Sequence, residues 1–284
     1  MKFDRVGILS DEVSANFDEA LDWVVLQGLK HVEVRVVDGR NIATLDDAQV
    51  AAVRKRVEQR GLYISGISSP VFKCALDPSR PVASGDRFGQ QEESLSAHFD
   101  KLERVIAIAR NLNTRRIRIF SFWREIDPAA HRGQIVEQLA KAARIAARQD
   151  ALLLLENEPS CNGGFAAEVA DLVRAVDSPA LRALWDPGNE VYGGREAFPA
   201  GYAQVKDVLA HVHLKDAYHQ KDGTPRCVPM GCGDLPLLAQ LRALKADGYS
   251  GLFTIETHFV PAGSTQKAGS QMSLDTLRIL WKEL

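Results

Sequence analysis

Carboxylates and histidines stand at the ends of short apolar runs in the second half of this chain. In the first such run, ALLLLENEPSC, five apolar residues lead into Glu156 and Glu158 before Pro159 interrupts regular structure. A short apolar run between helical patterns is typical of a parallel strand that is buried on both faces. The two carboxylates would then lie at the carboxyl end of the strand, where α/β folds bind ligands. For either carboxylate alone, a charged loop that caps the strand is the alternative.

Three more apolar runs carry residues of the same kind, namely Asp186, the pair His211 and His213, and Glu256. Side chains alternate along a strand, so the residue near the end of each run shares a face with the residue two positions before it. If those faces point inward, three carboxylates and one imidazole meet at one centre. So much buried negative charge would be costly without a cation. The donor set predicts a divalent ion, Mn²⁺ or Mg²⁺ first, with Zn²⁺ or Co²⁺ as alternatives.

The bulk composition is that of an ordinary globular protein. The chain has 284 residues, of which 45% are hydrophobic and 25% charged, and its net charge is -2. This balance gives no electrostatic reason to expect nucleic acid or a membrane surface as a partner. The apolar runs are far shorter than a membrane span, the N-terminus does not resemble a signal peptide, and the four cysteines have no close CxxC spacing. We therefore expect a cytoplasmic protein with reduced thiols.

The elements that must position these residues alternate between strand and helix along the whole chain. Their order predicts a single (β/α)₈ TIM barrel in one domain of residues 1–284. An open doubly wound sheet is the alternative, but it usually has a glycine-rich phosphate turn after its first strand, and residues 10–12 here are Ser-Asp-Glu. The predicted strands are 5–10, 31–37, 62–69, 116–121, 151–156, 181–185, 209–214 and 251–255. The predicted helices are 17–27, 46–59, 90–110, one from near Pro128 to 149, 166–176, 235–246 and 270–283; loops are predicted at 71–89, 186–189 and 215–234.

Five motifs give the chain a resemblance to the sugar phosphate isomerase/epimerase superfamily, the xylose isomerase-like barrels. They are LENEPS (155–160), WDPGN (185–189), HVHLKD (211–216), PMGCGD (229–234) and FTIETH (253–258). The resemblance implies a small-molecule carbohydrate substrate and, as in many family members, a homo-oligomer. It also implies that Glu156 and Glu256 act as acid and base on opposite faces of the substrate, whose enediolate the metal stabilises. The implied metal ligands are Glu156, Asp186, His213 and Glu256.

Three positions depart from the pattern of the ketose 3-epimerases that the chain resembles. Those enzymes have a glutamate, a histidine and an arginine where this sequence has Asn162, Asn189 and His219. The metal ligands are retained, so the difference concerns the residues that contact the substrate. We therefore predict that the substrate differs from that of the ketose 3-epimerases.

Several further residues are candidates for substrate binding, each with a plainer alternative. His211 could be a ligand in place of His213, although a position below the metal is favoured because His213 is nearer the strand end. Lys215 could neutralise an oxyanion or a carboxylate, or could be a solvated loop lysine. Glu158 could bond a sugar hydroxyl, or could form an ion pair with an arginine. The other candidates are Glu33 and Arg35, either an inward ion pair or, for the arginine, a group that recognises a carboxylate or phosphate, and Asn189, Lys73 and Arg226.

The leading functional prediction is a metal-dependent isomerase or epimerase of a small sugar, keto-sugar, polyol or sugar phosphate. A dehydratase acting on a keto-polyol or a dehydroshikimate-like substrate is the alternative, because both reactions begin with removal of a proton next to a carbonyl. An abasic-site endonuclease is disfavoured by the net charge and by a total of only seven histidines. A non-catalytic sugar-binding barrel would not need both glutamates at the metal.

Overall fold

Eight parallel strands close into a barrel in which each strand pairs with the next in the chain and the eighth pairs with the first. The computed structural model describes all 284 residues. The closure joins Val6 to Phe253 and Ile8 to Ile255. The predicted single (β/α)₈ barrel is therefore confirmed. Strands β1 to β8 are Val6–Leu9, His31–Val34, Tyr63–Ser68, Arg116–Ile119, Leu152–Glu156, Leu181–Trp185, Leu209–Leu214 and Leu252–Ile255.

Helices cover the outside of this barrel. The second of them shows why they form: Asp46 caps its N-terminus in a capping box with Gln49, and Val50, Val53 and Val57 recur at helical spacing on the buried side. One cluster of 69 buried apolar residues joins the sheet to the helices, so the barrel has a continuous core. Helices α1 to α8 are Phe17–Leu26, Asp47–Glu58, Leu95–Asn111, Arg132–Ala147, Ala166–Val176, Pro187–Tyr192, Leu237–Ala246 and Gln266–Trp281.

The mouth of the barrel, at the carboxyl ends of the strands, differs from the sequence prediction in three segments. The second strand ends at Val34 rather than at residue 37, and a two-residue hairpin of Val36–Val37 with Arg40–Asn41 follows it. The predicted turn at 186–189 opens α6, because Pro187 suits the first turn of a helix and Asp186 caps it. The predicted loop 215–234 contains an antiparallel pair of short strands, Asp216–His219 and Pro225–Val228.

Two helix starts were also predicted too early. Helix α4 begins at Arg132, so placing Pro128 in its first turn is wrong; the Asp127 carboxylate instead accepts bonds from the amides of Ala129 and Ala130 and forms a separate turn. Helix α3 begins after its cap Ser94, which extends the loop that leads from β3 across the mouth. None of the helices combines the length and the apolar character that a membrane span requires.

Candidate metal centre

Glu156, Asp186, His213 and Glu256 lie at the mouth ends of the four neighbouring strands β5 to β8. One ligand-type atom from each residue lies within 4.8 Å of the corresponding atom of every other. All four side chains are buried, with at most 2% of their surface exposed. The structure thus brings together the four residues that the sequence singled out, and three of the four are carboxylates.

The ring of His213 is held by carboxylates on both of its nitrogens. Its Nδ1 lies 3.1 Å from Glu156 Oε1 and 2.8 Å from Glu256 Oε2, while its Nε2 lies 3.2 Å from Glu33 Oε1. Glu33 also lies 3.0 Å from His211 Nε2. Burial opposes the ionisation of Glu33, but the two histidines hold its pKa well below the usual range. Burial lowers the pKa of His213, but the three carboxylates outweigh it and raise that pKa well above its ordinary value. When an ion is bound, a charged Glu33 that accepts from Nε2 would leave the Nδ1 lone pair for the ion, which is the orientation that a metal-binding histidine needs.

The surroundings of the Asp186 and Glu256 carboxylates are also those expected of a site for a divalent cation. Asp186 Oδ2 is buried and accepts no hydrogen bond, although the Lys215 ammonium lies 2.8 Å away as an ion pair. Burial raises the pKa of Asp186, although the Lys215 ammonium acts in the opposite direction. Burial also opposes the ionisation of Glu256, yet Lys215 and His213 hold its pKa well below the usual range. An unbonded carboxylate oxygen beside an imidazole nitrogen and two more carboxylates is an arrangement that a cation would stabilise.

Two buried arginines hold the outer oxygens of the two glutamates. Arg118 Nη1 lies 3.2 Å from Glu156 Oε2, and Arg35 Nη1 lies 2.7 Å from Glu256 Oε1. Each glutamate therefore turns one oxygen toward His213 and the other toward an arginine. The two arginines thereby fix the orientation of both carboxylates.

Arg35 is held by more carboxylates than the sequence indicated. Its Nε lies 2.8 Å from Asp11 and its Nη2 lies 2.9 Å from Glu12, both in the loop after β1. Burial lowers the pKa of Arg35, but these neighbours and Glu256 together raise it above its ordinary value. An ion pair between Glu33 and Arg35 is wrong, because Glu33 instead bonds Ser68 and the two histidines of β7.

Lys215 and α6 pack closely against each other beside Asp186. Lys215 is 3% exposed, so the alternative of a solvated loop lysine is wrong. A Cβ on Gly188 would lie 2.7 Å from the Cβ of Lys215, which explains the glycine in the WDPGN motif. Asn189 donates its backbone N–H to Asp186 Oδ1 at 2.9 Å and its side-chain amide to Asn157 O at 2.9 Å. These contacts fix the orientation of the Asp186 carboxylate.

Glu158 pairs with a lysine rather than with the arginine that the sequence suggested. Lys73 Nζ lies 3.4 Å from Glu158 Oε2 and is also within 4.5 Å of the ring centres of Phe88 and Phe120. Burial raises the pKa of Glu158, but Lys73 and Lys215 outweigh it and lower that pKa below its ordinary value. Glu158 is therefore a charged group at the edge of the mouth.

A cavity of about 760 Å³ opens above the centre. Its lining includes the predicted substrate-binding residues Glu158, Asn189, Lys215 and Arg226, together with His258, whose Nε2 lies 3.2 Å from Glu256 Oε1. An adjoining cavity of about 470 Å³ is lined by Arg35 and Phe88, among others. The structure places the candidates Glu33 and His211 elsewhere, buried on the far side of His213 from its contacts with Glu156 and Glu256.

Asn162, one of the three departures from the ketose 3-epimerases, has a structural role here. Its side chain donates to the carbonyls of Ser121 and Trp123 at 3.0 Å each and accepts from the amide of Glu125 at 2.9 Å. It thereby joins the loops after β4 and β5.

The sequence reasoning missed Arg118, which contacts both glutamates. A signal was present, because Arg116 and Arg118 alternate with Ile117 and Ile119, and alternation in a barrel strand places both arginines on the face opposite the isoleucines. Asp11, Glu12 and His258 were also missed as site residues. Their loops carry no local pattern that would relate them to Arg35.

Comparison with known proteins identifies the family of the chain. The family model described as the xylose isomerase-like TIM barrel matches residues 21–279. The chain therefore belongs to the xylose isomerase-like TIM barrel family. A comparison with curated proteins finds no significant match.

Three solved structures show how similar the fold is to that of known proteins. A xylose isomerase-like TIM barrel protein from Mycobacterium smegmatis in complex with magnesium is 18% identical, with 93% of this chain and 88% of that chain covered and a TM-score of 0.70. A 3-keto-D-glucoside 4-epimerase from E. coli is 17% identical, with 98% and 99% covered and a TM-score of 0.71. The probable 3-DHS dehydratase involved in petrobactin synthesis from Bacillus anthracis is 16% identical, with 92% and 93% covered and a TM-score of 0.68.

Proposed function

We propose that this protein, as one domain of residues 1–284, is a divalent-metal-dependent isomerase or epimerase of a sugar-like polyhydroxy carbonyl compound. Glu156, Asp186, His213 and Glu256 would hold the ion. The observation that carries the proposal is the pair of glutamates that meet at His213 from β5 and β8. The magnesium in one structural relative and the epimerase activity named for another support it. Mn²⁺ or Mg²⁺ suits three carboxylates and one imidazole.

The residues of the chain divide the proton transfer between them. A bound divalent cation supplies Lewis-acid stabilisation for negative charge that develops on the substrate oxygens. One of the two glutamates removes a proton from the carbon next to the carbonyl, and the other returns a proton to the opposite face. Glu33 lies against Nε2 of His213, and Arg118 and Arg35 hold the outer oxygens of the two glutamates in place.

A dehydratase is the second candidate, and the position of His258 favours it. This imidazole lines the cavity and lies 3.2 Å from Glu256 Oε1 and 3.3 Å from Glu12 Oε1. An acid at this place could protonate a β-hydroxyl as it leaves, after Glu256 has removed the neighbouring proton. Loss of water with a new enone absorbance would identify the dehydratase, whereas solvent deuterium in an otherwise unchanged or isomeric sugar would identify the isomerase or epimerase.

The proposal is tested by Glu156→Gln and Glu256→Gln in the Mn²⁺-loaded protein. We expect each variant to lose at least about 100-fold in deuterium exchange on a panel of keto-sugars, because each loses a proton-transfer group. Circular dichroism should show a retained fold. Glu58→Gln, the same change on the outer helix α2, is the control and should exchange normally. Full activity in either site variant, or in protein stripped of metal, would refute the mechanism.

A further inference from the structure

Arg118 is buried at the mouth beside the two glutamates. It lies on β4 with 1% of its surface exposed, and its guanidinium carbon is 4.8 Å from the ring centre of Phe88 and 4.9 Å from that of Phe120. Its Nη1 faces Glu156 Oε2 at 3.2 Å and Glu256 Oε1 at 3.6 Å. The guanidinium therefore adjoins the groups that we propose to transfer the proton.

The donors of Arg118 are only partly used. Its Nε is buried and has no hydrogen-bond partner, and its Nη2 reaches only the carbonyl of Ser68, at 3.4 Å. Arg35 makes the contrast clear, because its Nε, Nη1 and Nη2 each face a different carboxylate within 2.9 Å. A buried guanidinium with free donors is costly unless a ligand completes it.

Phe88 lies against the guanidinium of Arg118 at the mouth. Three cationic groups surround its ring: Lys73 Nζ at 4.5 Å, Arg118 at 4.8 Å and Arg35 at 5.2 Å from the ring centre. The negative face of a ring gives each of them a modest attraction. A carboxylate would attract each of these cationic groups far more strongly than the ring does. Phe88 belongs to the loop between β3 and α3 and is half-buried, so it is a surface-loop residue rather than part of the barrel core.

We propose that the substrate of this site is an acidic sugar, and that Arg118 binds its carboxylate in the space that Phe88 fills in this structure. The proposal rests on the isomerase function proposed above and names its substrate class. A carboxylate presents two coplanar oxygens that match the two-pronged edge of a guanidinium. The contact of Arg118 with Glu156 sets the carboxylate close to the reacting carbon.

Calorimetric binding to the full-length, Mn²⁺-loaded protein tests this assignment. The probes are matched pairs, D-glucuronate with D-glucose and D-gluconate with D-glucitol, with D-glucose 6-phosphate added as a phosphate probe. We expect at least one acid to bind 10-fold or more tightly than its neutral partner and than the phosphate. If no acid outbinds its neutral partner, or if the phosphate binds tightest, the proposal is overturned.

Variants test whether Arg118 and Phe88 determine the preference for the acidic sugar over the neutral one. Arg118→Gln should lower the ratio of acid affinity to neutral-sugar affinity about 10-fold or more, with partial recovery of that ratio in Arg118→Lys. Phe88→Ala should strengthen acid binding, because the space over Arg118 becomes free. Arg116→Gln, a change on the same strand in a separate cavity lined by Tyr249, is the matched control. Equal weakening of acid and neutral sugar in Arg118→Gln, or weaker acid binding in Phe88→Ala, would contradict the proposal.

The binding assay separates this inference from the proposed function. Deuterium exchange confined to neutral sugars, without selective binding of acids, would overturn the acidic substrate and leave the isomerase intact. Selective binding of acids without exchange in any sugar would overturn the isomerase and leave the carboxylate site intact. Should Arg118→Gln fail to fold, Arg118→Lys and Phe88→Ala carry the same comparison.

Discussion

Asp186 uses its two carboxylate oxygens for different purposes. Oδ1 accepts the backbone N–H of Asn189 and caps α6, while Oδ2 accepts no hydrogen bond and faces the Lys215 ammonium. Because this cap fixes the carboxylate, its second oxygen is directed at the centre. His213 is oriented in a similar way, because Glu33 lies against its Nε2 and its Nδ1 is directed at the centre. The candidate ligands are thus oriented by the protein before any ion binds.

Glu33→Gln should weaken metal binding without removing a ligand. The neutral amide can no longer favour the His213 tautomer with its proton on Nε2, so we expect about a 10- to 100-fold loss in affinity for Mn²⁺. Titration calorimetry measures the change. Glu125→Gln, a change at a buried glutamate that pairs with Arg80 instead, serves as the control and should bind Mn²⁺ as the unmodified protein does. An unaltered affinity in Glu33→Gln would show that Glu33 does not orient the ligand.

The strand periodicity could predict which residues converge at the mouth, because it depends only on neighbours in the chain. Glu156, Asp186, His213 and Glu256 were found in this way. The partner of Arg35 could not be predicted from strand periodicity, because Glu256 lies 221 positions away and is brought near only when the barrel closes. For the same reason, the sequence predicts an arginine as the partner of Glu158, whereas Lys73 reaches it from a loop 85 positions earlier.

At the scale of elements, the regular parts of the chain were predicted closely and the mouth was not. Strands β6 and β7 and helix α5 have the predicted bounds, because apolar periodicity defines them locally. The sequence predicts a loop where the paired strands Asp216–His219 and Pro225–Val228 lie, because the segment contains several glycines and prolines. Asp216 organises this segment by accepting the amides of Gly231 and Gly233 at 2.9 Å each.

Glu190 links three elements of the mouth and makes their stability depend on pH. Its carboxylate accepts from the Asn157 side chain at 3.2 Å and from the first amide of α5, that of Ala166, at 2.9 Å. Burial raises its pKa to about 7, with a smaller contribution from the charge of Glu168. The folded protein therefore holds this proton more tightly than the unfolded chain does.

The free energy of unfolding should fall as pH rises because of Glu190. The contribution is fully present below the unfolded pKa of 4.5 and is lost as pH rises through about 7, for a total of about 3 kcal/mol. Urea unfolding between pH 5 and 8, with chelator present, measures it. Glu190→Gln retains an acceptor but not the titration, so its stability should decline less over this range. Parallel curves for the two proteins would exclude Glu190 as the source.

For the molecule as a whole, the barrel core and the centre are separable. The 69-residue apolar cluster joins the sheet to the helices without the four ligand candidates, so we expect the barrel to fold without an ion. An ion that binds only the folded state still adds stability by mass action. The centre is therefore expected to change how firmly the barrel is held rather than whether it forms.

Mn²⁺ should raise the melting temperature of the full-length protein. At 100 times its dissociation constant, a ligand adds about 2.7 kcal/mol, which corresponds to a rise of about 5 °C or more for a domain of this size. Scanning calorimetry with Mn²⁺ and with chelator gives the difference. Asp186→Asn should reduce the rise, whereas Asp171→Asn on the outside of α5 should not. A melting temperature that Mn²⁺ leaves unchanged would argue against a metal at this centre.

The eighth strand completes the ring and the centre in one event. Glu256 arrives with that strand near the end of the chain, and Arg35 then bridges it to Asp11 and Glu12 near the beginning. A nascent chain emerging from the ribosome consequently carries no finished centre until its eighth strand has been synthesised. In refolding experiments, the return of catalysis would time the closing of the ring, separately from the earlier regain of helical content.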